Sequence, residues 1–307
     1  MVGSRDVISL RDLKDADIES IVQRGVDLAA DPEAHDAPLR GRIVGVYFSK
    51  TSTRTRTSFT TGALRLGAQV ITYGPGDLQL NTGETLEDTA RVLGGMLDGL
   101  VIRTAGPQRE MRTFAEHCPA VVNAMSAEEH PTQALADLTT MSARFGRLKG
   151  LRVLYVGEGN NTAVALAFAL SRFPGVELEF RTPRGYGLTP DVLAEAAALA
   201  ARSGGSVRES HDMLSLPAQV DVVYTTRWQT TGTSKPDPQW RQVFAPFQVD
   251  ASLMSRYPDA CFMHDLPAHR GEEVTAEVLD GPASIAFEQA RNKLHSAMAV
   301  LEWCLAR

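Results

Sequence analysis

Short apolar runs recur along the chain between longer segments of helical period, and this alternation restricts it to one fold class, α/β with parallel sheets and crossover helices. Runs rich in β-branched and aliphatic residues predict strands over residues 42–48, 69–73, 100–103, 120–123, 151–156, 176–180, 221–224 and 260–263. Helical segments are expected over 17–30, 84–96 and 131–145, the last following the boundary signal His130-Pro131. Gly146 and the polar link Arg147-Leu148-Lys149-Gly150 mark the close of one α/β unit. The expected architecture is therefore two doubly wound parallel-sheet domains joined by helices, over residues 1–146 and 147–284. The long helical segment from residue 285 to 307 is expected to return to the first domain. No internal repeat of solenoid period is present.

Composition narrows the class of function. The chain has 307 residues, 43% of them hydrophobic and 22% charged, which excludes disordered and fibrous classes. A net charge of −6 argues against a nucleic-acid partner, which would select a basic face. No apolar run reaches the length of a membrane span, and the amino terminus is too polar for a signal peptide, so a cytoplasmic location is expected. The three cysteines, Cys118, Cys261 and Cys304, sit at no metal-ligand spacing and are expected to be reduced thiols.

Against that acidic background one stretch stands out. Residues 37–76 contain no Asp or Glu but carry Arg40, Arg42, Lys50, Arg54, Arg56 and Arg65. Within it a predicted strand runs through Ser49-Lys50-Thr51-Ser52-Thr53-Arg54-Thr55-Arg56-Thr57-Ser58 into a helical pattern. A helix that starts on Ser/Thr offers unpaired backbone N–H groups and the positive end of its dipole, and arginine adds a planar donor fork suited to a phosphoryl group. An N-cap with solvated arginines is the simpler alternative. Six hydroxyls and two arginines between Thr51 and Ser58 exceed what a cap needs. The spacing is not that of a P-loop, and Gly157-Glu158-Gly159-Asn160-Asn161 does not complete a dinucleotide fingerprint.

The segment Ser52-Thr53-Arg54-Thr55-Arg56-Thr57-Ser58-Phe59 resembles the S-T-R-T-R-x-S-F signature of the aspartate and ornithine carbamoyltransferase family. The resemblance continues, in order, through Gly83-Glu84-Thr85-Leu86-Glu87-Asp88, Asp98-Gly99-Leu100-Val101-Ile102-Arg103 and His130-Pro131-Thr132-Gln133-Ala134-Leu135. Val156-Gly157-Glu158-Gly159-Asn160-Asn161 is similar to the family's V-G-D-G-N-N, and Phe262-Met263-His264-Asp265-Leu266-Pro267-Ala268 to its F-M-H-C-L-P-A. It implies carbamoyl transfer to an amine, with the active site in the interdomain cleft, within amino acid metabolism. It implies no cofactor and no metal. The implied partners are carbamoyl phosphate, a small amine acceptor and two further copies of the chain in a homotrimer, without nucleic acid or membrane.

Transfer from carbamoyl phosphate sets three electrostatic tasks: holding the phosphate dianion, polarising the carbonyl oxygen, and presenting a neutral amine. For the first, the resemblance implies Ser52, Thr53, Arg54 and Thr55. For the second it implies Arg103, Thr55 and His130, with Gln133 on the carbamoyl NH2; His130 and Gln133 at i, i+3 of a helix start share one face. It further implies Asn161 for the acceptor and the backbone carbonyl of Leu266. Lys293 stands where the ornithine branch places an arginine, keeping the charge without the bidentate fork.

The pattern breaks at the acceptor. The ornithine branch has D-x-W-x-S-M-G, its aspartate holding the acceptor α-amino group; here Thr226-Arg227-Trp228-Gln229-Thr230-Thr231-Gly232 stands instead, and the H-C-L-P cysteine is Asp265. Thr226-Arg227-Trp228-Gln229 matches the aspartate branch's T-R-x-Q, which grips a carboxylate. That branch's lysine before G-E is Thr82, and its H-P-L-P proline is Asp265. The expected acceptor is thus a small amino acid or diamine other than ornithine, held by Asn161, Thr226, Arg227, Gln229, Thr230 and Asp265. Asp265 is also placed in the chemistry with Arg103, His130 and Gln133, as acceptor of an amine proton; an Asp that only serves the following turn is the alternative. Ornithine carbamoylation to citrulline in arginine metabolism, and a non-catalytic carbamoyl phosphate sensor, remain open.

Overall fold

A computed structural model describes residues 5–33, 35–230 and 232–306. Both parts of the chain are α/β, each with its own parallel sheet. The first compact unit comprises residues up to Ala143 together with those from Arg291 onward, and the second is Arg144–Ala290.

In the first unit the strands β1 (Ile43–Phe48), β2 (Gln69–Tyr73), β3 (Gly99–Arg103) and β4 (Val121–Met125) form a sheet of order β2-β1-β3-β4. Every residue of β3 and β4 is buried, as a parallel sheet covered on both faces requires. The helices are α1 (Asp15–Ala30), α2 (Thr53–Arg65), α3 (Leu86–Gly94), α4 (Gln108–Ala115) and α5 (Pro131–Phe145). Chain order runs outward from β1 to β2 and, in the other direction, from β3 to β4, so the topological switch lies between β1 and β3, where such sheets bind ligands beyond their carboxyl ends. Phe48 at the end of β1 pairs with Arg103 at the end of β3. The chain then enters α2, which is pinned by buried Phe59 at 2% exposure, a burial worth roughly 1.5–3 kcal/mol.

The second unit has β5 (Arg152–Val156), β6 (Glu177–Arg181), β7 (Ser206–Ser210), β8 (Val222–Thr225) and β9 (Cys261–His264) in the order β7-β6-β5-β8-β9. Its switch falls between β5 and β8. Its helices are α6 (Asn161–Leu170), α7 (Pro190–Arg202), α8 (Trp240–Phe244), α9 (Ala251–Ser255) and α10 (Ala276–Leu279). The last helix, α11 (Ala286–Leu305), begins in the second unit and finishes in the first. In the first unit it comes so near α2 that a Cβ at Gly62 would lie 3.0 Å from Met298 Cγ.

Eight expected strands are present to within a residue or two, but β7 and the helices α4 and α6 to α10 lie outside the elements the sequence named. β7 is an edge strand in which Val207 alone is buried, so its own sequence carries little periodic signal, and its existence depends on the ladder with β6. Among the described residues no helix is long and apolar enough to cross a membrane. Cys118, Cys261 and Cys304 are free and buried.

Candidate active site

At the switch point of the first unit, Ser52 caps α2 by accepting the Thr55 N–H at 3.3 Å, and the earlier N–H groups of the first turn point out of the helix. Thr53 and Arg54 occupy that first turn, and Thr55 is buried behind them. Arg103 is 8% exposed and closes against the same turn: its Nη1 lies 3.5 Å from Thr55 Oγ1, 3.3 Å from the Ala124 carbonyl and 3.3 Å from His130 Nε2. A register shift between β3 and β4 at Ile102/Arg103, with Met125 at φ 153°, turns that carbonyl toward the guanidinium.

Arginine only donates, so His130 Nε2 accepts, which leaves the proton on Nδ1 facing Thr132 Oγ1 at 3.5 Å. Burial first, and then the nearby charges of Arg103 and Lys293, hold the His130 pKa well below its ordinary value. The ring is neutral. Gln133, on the next turn of α5, donates from Nε2 to Asp137 Oδ1 at 2.8 Å. Because a carboxylate only accepts, this bond fixes which way the amide faces; Gln133 Oε1 is left buried without a hydrogen-bond partner among the described residues. Lys293, on α11, lines the same pocket as Thr55, Ser58, His130 and Gln133.

In the second unit, β5 leads into Gly157-Glu158-Gly159 and the α6 cap. Asn160, not Asn161, is the capping residue, its Oδ1 accepting from Thr162 N at 3.0 Å and Ala163 N at 3.2 Å. Gly159 is required by close approach: a Cβ there would lie 2.3 Å from the Gly187 carbonyl carbon. Asn161 is buried at the first position of α6. Thr225 at the end of β8 pairs with His264 at the end of β9, so the next residues, Thr226 and Asp265, emerge side by side.

That register decides where Asp265 points. Its Oδ1 accepts the Thr226 hydroxyl at 2.9 Å and its Oδ2 the Thr162 hydroxyl at 3.0 Å. The turn at residues 268–271 follows. That turn is held by buried Glu273, whose Oε1 accepts from His269 N at 2.5 Å and lies 3.2 Å from His264 Nε2. His264 Nδ1 accepts the Leu266 N–H at 2.8 Å, so Nε2 carries the proton and donates to Glu273. Leu266 is thereby held with a positive φ of 51°.

Of the other acceptor candidates, Arg227 is half-buried, and its Nε is buried without a hydrogen-bond partner among the described residues. Gln229 turns its amide into its own segment, donating to the Thr233 carbonyl at 2.7 Å, which differs from a side chain held open for a substrate carboxylate. Thr230 Oγ1 donates to Glu158 Oε2 at 3.1 Å. Thr231 lies outside the described residues. Sequence reasoning missed Asp137, Thr162 and Glu273. Asp137 was legible as the i+4 neighbour of Gln133 on one helix face; Thr162 was not, being 103 positions from Asp265.

Comparison with known proteins accords with both halves. Residues 5–143 match the model of the aspartate/ornithine carbamoyltransferase carbamoyl-P binding domain, and residues 149–304 that of the Asp/Orn binding domain. The chain is 42% identical over 306 residues to a protein of Symbiobacterium thermophilum named ornithine carbamoyltransferase, covering 98% of each. It is 38% identical over 302 residues to one of that name from Bacillus subtilis, covering 97% of this chain and 93% of the other. Among solved structures, ornithine carbamoyltransferase from Pyrococcus furiosus superposes with a TM-score of 0.91 at 37% identity, covering 99% of this chain and 98% of that one. The Gloeobacter violaceus structure of the same name gives 0.86 at 37% identity, with 99% and 100% coverage.

Proposed function

The chain belongs to the aspartate/ornithine carbamoyltransferase family and is a carbamoyltransferase, and from that premise we propose that it carbamoylates the side-chain amine of ornithine to give citrulline. This replaces the expectation of a different acceptor. Relatives at 38–42% identity carry the ornithine name, and the substitutions that argued against ornithine have a compensating geometry. The observation that carries the reading is the bond from Thr226 Oγ1 to Asp265 Oδ1 at 2.9 Å. The carboxylate lost at position 226 is regained one hydrogen bond away, so a cationic α-amino group still meets a negative charge there. Two threonine hydroxyls hold both of its oxygens in place.

The phosphate of carbamoyl phosphate docks at the α2 N-terminus on Ser52, Thr53, Arg54 and Thr55, with Lys293 adding a cation to the same pocket. Arg103 donates to the carbonyl oxygen as negative charge develops on it. His130, neutral beside it, accepts from the Arg103 guanidinium and holds it in place. Gln133 Oε1, which meets no donor among the described residues, takes an N–H of the carbamoyl group. The neutral δ-amine attacks the carbonyl carbon, a C–N bond forms, the C–O bond to phosphate breaks, and the amine's proton passes to the departing phosphate, which leaves as inorganic phosphate. The Leu266 carbonyl and Asp265 receive acceptor N–H groups. The enzyme works without cofactor or metal, as a cytoplasmic homotrimer; a fully active monomer in sedimentation at micromolar concentration would contradict the assembly.

The test is transfer from radiolabelled carbamoyl phosphate to a panel containing ornithine, shorter diamino acids, aspartate, putrescine and N-acylated ornithines. Ornithine is expected to give the highest kcat/KM, and a higher value for any other member overturns the acceptor assignment.

A further inference from the structure

The segment after β8 bears an anchor that none of the roles above uses. Lys235 has a side chain only 4% exposed, and lysine is almost never so buried without compensation. Its Nζ pairs with Glu158 Oε1. The same ammonium lies 4.6 Å from the ring centroid of Tyr186, 4.8 Å from Phe244 and 5.4 Å from Trp240, within the range at which a cation is attracted to an aromatic face. The rings are themselves packed together. Phe244 sits 4.8 Å from Tyr186, 5.5 Å from Trp240 and 5.5 Å from Trp228, the last belonging to the Thr226-Arg227-Trp228 stretch.

Glu158 grips the segment twice. Oε1 holds Lys235, while Oε2 accepts the Thr230 hydroxyl at 3.1 Å. Glu158 is in turn held by its backbone carbonyl, which accepts from Tyr155 Oη at 2.6 Å. Between the two grips, Thr233 Oγ1 donates to the Thr230 carbonyl at 2.8 Å. The stretch presenting Thr226, Arg227, Gln229 and Thr230 is therefore anchored by Trp228 on one side and by a caged ammonium on the other.

We propose that Lys235 is a positioning residue for the acceptor site, its ammonium caged by Tyr186, Trp240 and Phe244 and paired with Glu158 so as to fix the segment that meets the acceptor. The inference rests on the acceptor role proposed above for Thr226, at the start of that segment. Lys235 touches no substrate; losing its charge loosens the segment, which weakens acceptor binding while leaving the phosphate-holding residues of the other unit as they are.

Lys235→Met keeps the length and apolar stem of the side chain and removes the charge. It is expected to raise the ornithine KM roughly ten- to hundredfold with carbamoyl phosphate KM and kcat within about twofold, the signature of lost ground-state positioning. Limited proteolysis should cut the 230–239 segment faster than in the parent protein. In Lys235→Cys, 2-bromoethylamine rebuilds an ammonium of lysine length as the introduced thiolate displaces bromide; the three native cysteines are buried. Alkylation should return ornithine KM to within about twofold of the parent value. An unchanged ornithine KM and unchanged protease resistance in Lys235→Met overturn the proposal, as does an introduced thiol that stays unreactive because the segment is held without the ammonium. If the parent enzyme fails to use ornithine, the acceptor reading falls, and proteolysis alone decides whether Lys235 anchors the segment.

Discussion

His130 gives a quantitative test of the charge state of the site. In the unfolded chain its ring titrates near the ordinary 6.5, while in the folded protein burial, Arg103 and Lys293 hold its pKa well below that. Below about pH 6.5 the unfolded chain therefore binds a proton that the native protein refuses, and stability falls as pH falls. Each such proton is worth about 1.4 kcal/mol for every pH unit below the unfolded pKa over which the native ring stays neutral. His130→Gln keeps an acceptor for Arg103 but cannot titrate. Urea unfolding of parent and variant at about pH 8, 6.5 and 5 isolates the term, because other titrating groups are common to both proteins. The parent should lose more stability than the variant between the extremes, with the difference opening below about pH 6.5 and growing by about 1.4 kcal/mol per pH unit while the native ring stays neutral. Equal losses would mean that the native ring takes up the proton, and the neutral His130 beside Arg103 would be refuted.

Arg54→Ala or Arg103→Ala should reduce turnover on the order of 10²–10³-fold with any acceptor, as expected for one electrostatic donor; near-parental kcat in either contradicts the site. Asp137→Leu leaves the Gln133 amide unpaired and free to turn, and should lower kcat roughly tenfold or more, whereas Asp137→Asn retains an acceptor and most of the activity. Steady-state kinetics of the pair decides, equal activities refuting the orientation argument. Asp265→Asn should preserve carbamoyl phosphate affinity and depress turnover with ornithine, unchanged kcat and KM showing no part for this carboxylate. The double change Asp265→Cys with Thr226→Asp, which returns the charge to position 226, should recover more ornithine activity than the sum of the single changes, since the two side chains are in contact.

What the sequence determined by itself is what short-range physics controls. Apolar runs announce buried parallel strands because a strand covered on both faces has no polar side to show. The hydroxyl-rich start of α2 announces an anion site because capping, the dipole and the arginines all act within one turn. The His130 to Gln133 spacing, and unread beside it the Gln133 to Asp137 spacing, are legible for the same reason: helix geometry alone sets both.

Only tertiary structure could decide the rest. Asp265 read as a pocket carboxylate with a turn residue as the alternative, and its sequence alone could not close the choice, because its partners Thr162 and Thr226 stand 103 and 39 positions away and are delivered by strand register and crossover. The neutrality of His130 follows from burial beside two cations, one of them carried in by the final helix. Lys235 meets Glu158 across 77 positions, in a cage whose rings come from α8 and from the loop before α7. Electrostatic character is set by desolvation and by partners within a few ångströms, and the fold assigns those partners from residues that the sequence holds far apart.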